Sequence, residues 1–171
     1  MSVDIDLFTD AEYGSLDFKL LEEYLKRKYA YFSTSGVAVI GMGTSYFVGN
    51  SSENCIKLDL YYTDSFVFDE VNIDAVRLAS LEEIIAMKLD VIFRGGRKKD
   101  FWDLHFFLPQ MNLEKWMEIY QKRYPYHSNT TDLKTALLNF EEAEYDFEPN
   151  CLLDKNWEII KLDFFESVLR Q

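Results

Sequence analysis

The pattern of apolar residues changes near residue 80, and this change limits the folds that the chain can adopt. Before that point, short runs alternate apolar and polar residues with a period of two, which is typical of strands. After it, apolar residues recur every three or four positions, as they do in amphipathic helices. We therefore expect an α+β fold. Residues 1–79 should form a small mixed sheet, and residues 80–171 a helical part packed on it in one compact unit.

Strand signals dominate the first part of the chain. The first strand reads SVDIDLF, in which Asp4 and Asp6 share one face. A helix follows from Ser15, which we expect to be its N-cap. The runs GVAVIGMG, SYFVGN and NCIKLDLYYT predict an antiparallel meander of three strands from about Gly36 to Thr63. A further short strand is predicted at AVRLAS.

Helix signals dominate from Ser80 onward. Ser80 and Glu83 have the spacing of a capping box ahead of an apolar run, and Gly95 marks the end of that helix. A second helix is predicted over RKKDFWDLHFFLPQM, ending near Pro109. Three more helices are predicted over residues 112–124, 129–146 and 154–169.

Charge and composition exclude several classes of protein. The chain has 171 residues and a formal net charge of -12, from 30 acidic and 18 basic side chains. This charge repels nucleic acid at long range, so any contact with RNA must use a local basic patch.

Cys55 and Cys151 lie far apart without CxxC spacing, and we expect both to be reduced. No apolar run approaches the roughly 20 residues that span a bilayer, and no signal peptide is evident, so we expect a cytoplasmic protein without membrane contact.

Carboxylates inside two predicted strands are the first candidate site. Asp4 and Asp6 point the same way, with Cα atoms about 6.6 Å apart. Asp59 lies in the apolar run IKLDLYY, and if the two strands are neighbours the three carboxylates converge. They would raise one another's pKa unless a cation neutralised them. Mg²⁺ prefers such oxygen ligands and binds between carboxylates and substrate phosphates. The alternative is that these residues form the solvent face of a strand.

A cluster of charged residues around the junction of the first two C-terminal helices is the second candidate site. Its members are Lys88, Arg94, Arg97, Lys98, Lys99, Asp100 and Asp103. Asp100 and Asp103 share a helix face, and Lys99 can meet Asp103 at the i, i+4 spacing. A positive cluster near carboxylates suits a triphosphate. The alternative is a surface loop in which the two aspartates cap a helix or pair with Arg94 and Lys98.

Three segments of the chain resemble one known family. SVDIDLF, KLDLYY and LASLEEIIAMKLDVIFRGGRKKDFWDLHFFL are similar to the nucleotidyltransferase family of AbiEii/AbiGii-type abortive-infection toxins. Its members typically show S-x-D-x-D-Φ-F and a later K-(x)n-R-x-x-K/R-D-Φ-x-D-Φ pattern. The resemblance covers approximately residues 2–108, and its second motif is the more specific one.

The resemblance implies a fold, a reaction and roles for named residues. It implies a polymerase-β-like nucleotidyltransferase fold that uses Mg²⁺ and a nucleoside triphosphate, with an RNA (tRNA) or protein acceptor. It further implies a toxin opposed by an antitoxin. By position, Asp4, Asp6 and Asp59 match the catalytic, metal-binding carboxylates. The residues matched to nucleotide binding are Lys88, Arg94, Lys99, Asp100 and Asp103.

One departure from the family pattern supports an alternative function. Family members carry a Gly-Gly/Ser turn and a helix before the D-x-D strand, and this sequence begins at that strand. Those backbone amides would cradle the triphosphate. The alternative is therefore an inactive, truncated nucleotidyltransferase-fold protein that serves as a binding or assembly module. The aromatic residues of the C-terminal half are then candidates for a partner or homo-oligomer surface, and otherwise for the core.

Overall fold

The computed structural model describes residues 4–34, 42–127, 130–151 and 153–169. The chain divides into two compact units, Met1–Ser65 and Phe66–Gln171. The first unit carries the larger sheet, and the second carries a small hairpin and most of the helices. The change from strands to helices falls between residues 78 and 81, as the sequence predicts.

The first unit is a mixed four-stranded sheet with one helix. Its elements are β1 (Asp4–Thr9), α1 (Phe18–Lys28), β2 (Tyr31–Thr34), β3 (Gly43–Ser51) and β4 (Asn54–Tyr62). The strand order is β1-β4-β3-β2. β1 runs parallel to β4, and the other pairs are antiparallel. The predicted α+β class with a small mixed sheet is confirmed.

The two faces of this sheet differ in character because side chains alternate along each strand. On one face, Tyr46 and Val48 of β3 pack with Leu25 of α1 to form the unit's core. The opposite face carries Lys57 and Asp59 of β4. α1 therefore covers one face of the sheet, and the charged side chains of Lys57 and Asp59 lie on the other.

Local details of this unit differ from the predictions in two places, and one predicted strand is not tested. α1 begins later than predicted, because the N-cap is Asp17, whose side chain accepts the Leu20 amide, and not Ser15. β2 was not predicted, since YFST is too short to show a period. The predicted strand at GVAVIGMG falls mostly on residues 35–41, outside the described residues.

The second unit begins with a hairpin of β5 (Val71–Ile73) and β6 (Val76–Leu78). Its helices are α2 (Leu81–Phe93), α3 (Lys98–His105), α4 (Leu113–Arg123), α5 (Thr130–Leu137), α6 (Glu141–Glu144) and α7 (Trp157–Leu169). Two short helices, α5 and α6, replace the single helix predicted over 129–146. The core combines α2, α3, α4, α5 and α7 around fully buried residues such as Ile85, Phe101, Trp116 and Phe164. None of the helices in the described ranges is long and apolar enough to cross a membrane.

The ends of α2 follow the sequence signals in part. The Ser80 side chain caps the helix by accepting the Glu83 amide at 3.3 Å. The reciprocal half of the predicted capping box is wrong, because the Glu83 carboxylate bonds to Arg123 and to the amides of Val67 and Phe68. Gly95 follows the helix with a φ of +107°, in the left-handed region that side chains disfavour.

Candidate functional site

The pairing of β1 with β4 brings two predicted site residues side by side. Asp6 is the register partner of Asp59, and on the other side of β4 the partner of Asp59 is Ser45. The three side chains form one row across three strands. The strand adjacency on which the sequence argument depended is therefore present.

Asp59 is the buried member of this row and has several partners. Its residue is only 6% exposed. The Ser45 hydroxyl donates to Oδ1, the Lys57 ammonium donates to Oδ2 at 2.6 Å, and the Asp6 carboxyl lies within hydrogen-bonding range. Burial alone would raise the pKa of Asp59, but the hydrogen bonds from Lys57 and Ser45 and the charge of Lys57 hold it below its usual value.

Asp4 lies one pair further along the same face. Its register partner is Lys57, which precedes Asp59 by two residues and so shares its side of β4. Burial alone would lower the pKa of Lys57, but the hydrogen bond and charge of Asp59, with a contribution from Asp4, raise it. The residues named here thus bring three carboxylates, one hydroxyl and one ammonium group to this face.

The chemistry of this donor set fits a hard divalent ion in part. In the described ranges, no three His, Cys, Asp or Glu side chains are grouped closely enough to hold a metal ion on their own. Mg²⁺ commonly uses only one or two carboxylates and takes its other ligands from water and substrate phosphates. Asp6 and Asp59 would supply two such carboxylates, and Asp59 already pairs with one cationic group, the Lys57 ammonium.

A second group of charges lies where α2 faces α3. Lys88 of α2 donates to Asp100 at 2.7 Å and lies 2.7 Å from a carboxylate oxygen of Asp103. Asp100 is 1% exposed and also accepts the backbone amide of Arg97 at 3.1 Å, which caps the start of α3. Burial opposes both charges, yet the pairing lowers the pKa of Asp100 and raises that of Lys88.

Three other predicted members of this cluster lie apart from the Lys88 pair. Arg94 pairs with Asp90 at 2.5 Å, one turn earlier on α2. Lys99 is exposed and forms no ion pair with any described residue. The i, i+4 spacing predicted a contact between Lys99 and Asp103, but Asp103 pairs with Lys88 instead. Lys98 pairs with Glu148 and not with either aspartate.

Two contributors to the carboxylate row were not among the predicted site residues. Lys57 could have been found, because the period of two that places Asp59 on a face places Lys57 on the same one. Ser45 could not, since only the register of β3 against β4 brings its hydroxyl to Asp59.

Comparison with known proteins agrees with this architecture. No curated protein matches the chain. A crystal structure of an H. pylori protein assigned as a nucleotidyltransferase is 19% identical, with a TM-score of 0.53, and the match covers 98% of this chain and 76% of that one. The structure of JHP933 from Helicobacter pylori is 18% identical, with a TM-score of 0.56, over 99% of this chain and 75% of that one. At these identities the likeness shows the fold alone.

A family match extends over nearly the whole sequence. Residues 1–170 match the family described as nucleotidyl transferase AbiEii toxin, type IV TA system. The chain therefore belongs to the AbiEii nucleotidyltransferase toxin family of type IV toxin–antitoxin systems.

Proposed function

We propose that this chain transfers a nucleoside monophosphate from a nucleoside triphosphate to an RNA or protein acceptor in a reaction that depends on Mg²⁺. The observation that carries the proposal is the row formed by Asp6, Asp59 and Ser45 across three paired strands. Family membership supports the reaction class and a toxin role countered by an antitoxin.

The proposed roles follow from the contacts on this face. Asp6 and Asp59 would hold the ion between them, with Asp4 beside them on β1. Bound Mg²⁺ would activate the attacking oxygen and stabilise the charge that develops on the leaving pyrophosphate. Ser45 donates to Asp59 and so fixes the orientation of its carboxylate before any ligand arrives. The acceptor oxygen then bonds to the α-phosphorus as the bond to pyrophosphate breaks.

For the second group, we propose a role in binding the triphosphate. Lys88 is the best-held cation of the group, because two carboxylates fix its ammonium. Asp100 and Asp103 would then orient Lys88, while Arg94 and Lys99 would contribute exposed positive charge to the same group. The structural alternative is that Asp100 only caps α3 and stabilises the fold.

Replacement of Asp6 tests the transferase proposal. Asp6→Asn removes a charged oxygen ligand but keeps the size of the side chain, so we expect at least a hundredfold loss of transfer with an unchanged fold. The assay supplies each α-labelled triphosphate with Mg²⁺ to total RNA and to cell proteins, and follows label that becomes covalently attached. Circular dichroism and thermal unfolding monitor the fold.

A matched control comes from the loop just after β1. Asp10→Asn removes the same charge from an exposed residue whose described contact is with Ser65, and it should leave transfer unchanged. Equal transfer by wild type and Asp6→Asn would contradict the proposal. If wild type transfers no label and gains no thermal stability from Mg²⁺ with any triphosphate, the binding-module alternative is favoured. Bound ligand at 100 times its dissociation constant should add about 2.7 kcal/mol.

A further inference from the structure

Lys57 stands out on the carboxylate face because its ammonium occupies space that a metal ion would need. Its Nζ lies 2.6 Å from Oδ2 of Asp59, and Asp4 is its neighbour across the strand pair. The Lys57 side chain is 34% exposed, whereas that of Asp59 is 8% exposed. The ammonium therefore covers the outer oxygen of a carboxylate that is otherwise closed off.

A divalent ion and this ammonium cannot share the same oxygen at contact distance. Like charges a few ångströms apart repel strongly near a protein surface. A free ion that binds to Asp59 must displace the Lys57 ammonium. The displaced ammonium then stays close by and repels the bound ion. Oδ1 already accepts one hydrogen bond, from the Ser45 hydroxyl, which leaves it a single lone pair for an ion.

A triphosphate changes this balance. Its oxygens can accept the displaced ammonium while they complete the coordination of the ion, so that each positive charge keeps a negative partner. Lys57 needs no backbone movement to turn away from Asp59, because it is partly exposed and its stem is flexible.

We propose that Lys57 is a positioning residue that serves as the built-in counter-ion of Asp59, so that a divalent ion enters this site together with a triphosphate and binds poorly on its own. The inference rests on the proposed function, because it assumes that this face binds a metal and a triphosphate. It deepens that function by naming the residue that couples the two binding events.

Calorimetric titration of two variants tests the proposal. Lys57→Met removes the ammonium and keeps most of the apolar stem, and free Mg²⁺ should then bind about tenfold more tightly than to wild type, a change of about 1.4 kcal/mol. Inorganic tripolyphosphate should raise the affinity of wild type for Mg²⁺ more than that of Lys57→Met. Lys57→Arg keeps the charge and should behave like wild type.

A lysine on α1 provides the matched control. Lys26→Met removes an equal charge from the same unit, where the lysine pairs with Glu22, and it should leave Mg²⁺ affinity unchanged. Equal affinity of wild type and Lys57→Met for free Mg²⁺ would overturn the proposal. So would Mg²⁺ binding to none of the proteins, or a Lys57→Arg variant that binds as tightly as Lys57→Met.

Failure of this inference can be distinguished from failure of the transferase proposal. A protein that shows the expected binding pattern but transfers no nucleotide would support the counter-ion role and contradict the proposed function. If wild type transfers nucleotide but Lys57→Met does not change the affinity for free Mg²⁺, the proposed function is supported and the counter-ion role is contradicted. Circular dichroism of each variant establishes that the folded protein is titrated.

Discussion

At the scale of single residues, the pair formed by Lys88 and Asp100 combines deep burial with full charge. Asp100 is almost inaccessible to solvent and accepts hydrogen bonds from the Lys88 ammonium and from the Arg97 amide. Loss of the Asp100 charge would remove the more buried of the two carboxylates that hold Lys88, which would keep Asp103 and its own partial exposure to solvent. The pair therefore contributes to stability whether or not it also binds nucleotide.

The pH dependence of stability tests this pair through Asp100→Asn. The pKa of Asp100 is lowered by folding, so its contribution is complete above the unfolded pKa of about 3.9 and is lost as pH falls through the lower folded value. We expect the variant to lose about 2 kcal/mol between pH 5 and 8, because Lys88 keeps Asp103, with the difference from wild type shrinking below about pH 4. Urea unfolding at each pH measures it.

Asp103 offers the matched control for this experiment. It contacts the same ammonium, but its side chain is 54% exposed, so solvent screens the interaction. Asp103→Asn should cost less than about 1 kcal/mol. A difference between wild type and Asp100→Asn that persists undiminished at pH 3 would show that the lost energy does not come from the carboxylate charge.

At the scale of secondary-structure elements, Glu83 joins three segments of the second unit. From α2 its Oε1 binds Arg123 of α4 at 2.5 Å, and its Oε2 accepts the amides of Val67 and Phe68 ahead of the hairpin. Glu83 and Arg123 are both nearly inaccessible to water. A sequence reading that gave Glu83 a capping role missed this, since its partner lies 40 residues away.

Glu83→Gln should destabilise the second unit strongly. The amide keeps the size of the side chain but removes the carboxylate charge that pairs with the buried Arg123, so we expect a loss of about 3 kcal/mol. Glu82→Gln, a neighbouring position on α2 with more exposure, should change stability by less than about 0.5 kcal/mol. Chemical denaturation followed by tryptophan fluorescence reports on this unit, because Trp102, Trp116 and Trp157 all lie in it. A loss similar to that of Glu82→Gln would contradict the joining role.

At the scale of the whole molecule, the sequence predicts the helices and strands that follow from local periodicity. It does not predict the strand order, which depends on pairing between segments distant in the chain. The helix at Ser80 and the strand at Asp59 follow from period and capping. The position of β1 beside β4 was only a condition in the sequence argument, because strand order is set by tertiary packing. The carboxylates could therefore be named from the sequence, and Lys57 could have been added from the period of two, but the Ser45 hydroxyl could not, because only the register of β3 against β4 brings it to Asp59.

The cores of the two units differ in depth, and hydrogen exchange should reflect this. In the second unit, α2 and α4 carry fully buried residues such as Ile85 and Trp116. In the first unit β1 is an edge strand of the described sheet, with Ile5 46% and Leu7 44% exposed. Strands with few buried contacts open locally at lower free energy than core helices. We expect β1 amides to exchange well before those of α2.

The same measurement connects local stability to the proposed site. Binding to the carboxylate face stabilises only states in which β1 is paired with β4, because Asp6 and Asp59 meet through that pairing. Mg²⁺ with tripolyphosphate should therefore slow exchange in β1 and β4 of wild type while leaving α4 unchanged, and it should have no effect on Asp6→Asn. Mass spectrometry of exchanged peptides resolves these segments. Equal protection of β1 and β4 in Asp6→Asn would mean that the ligand binds elsewhere. If β1 amides exchange as slowly as those of α2 without ligand, the edge strand is more stable than its burial indicates.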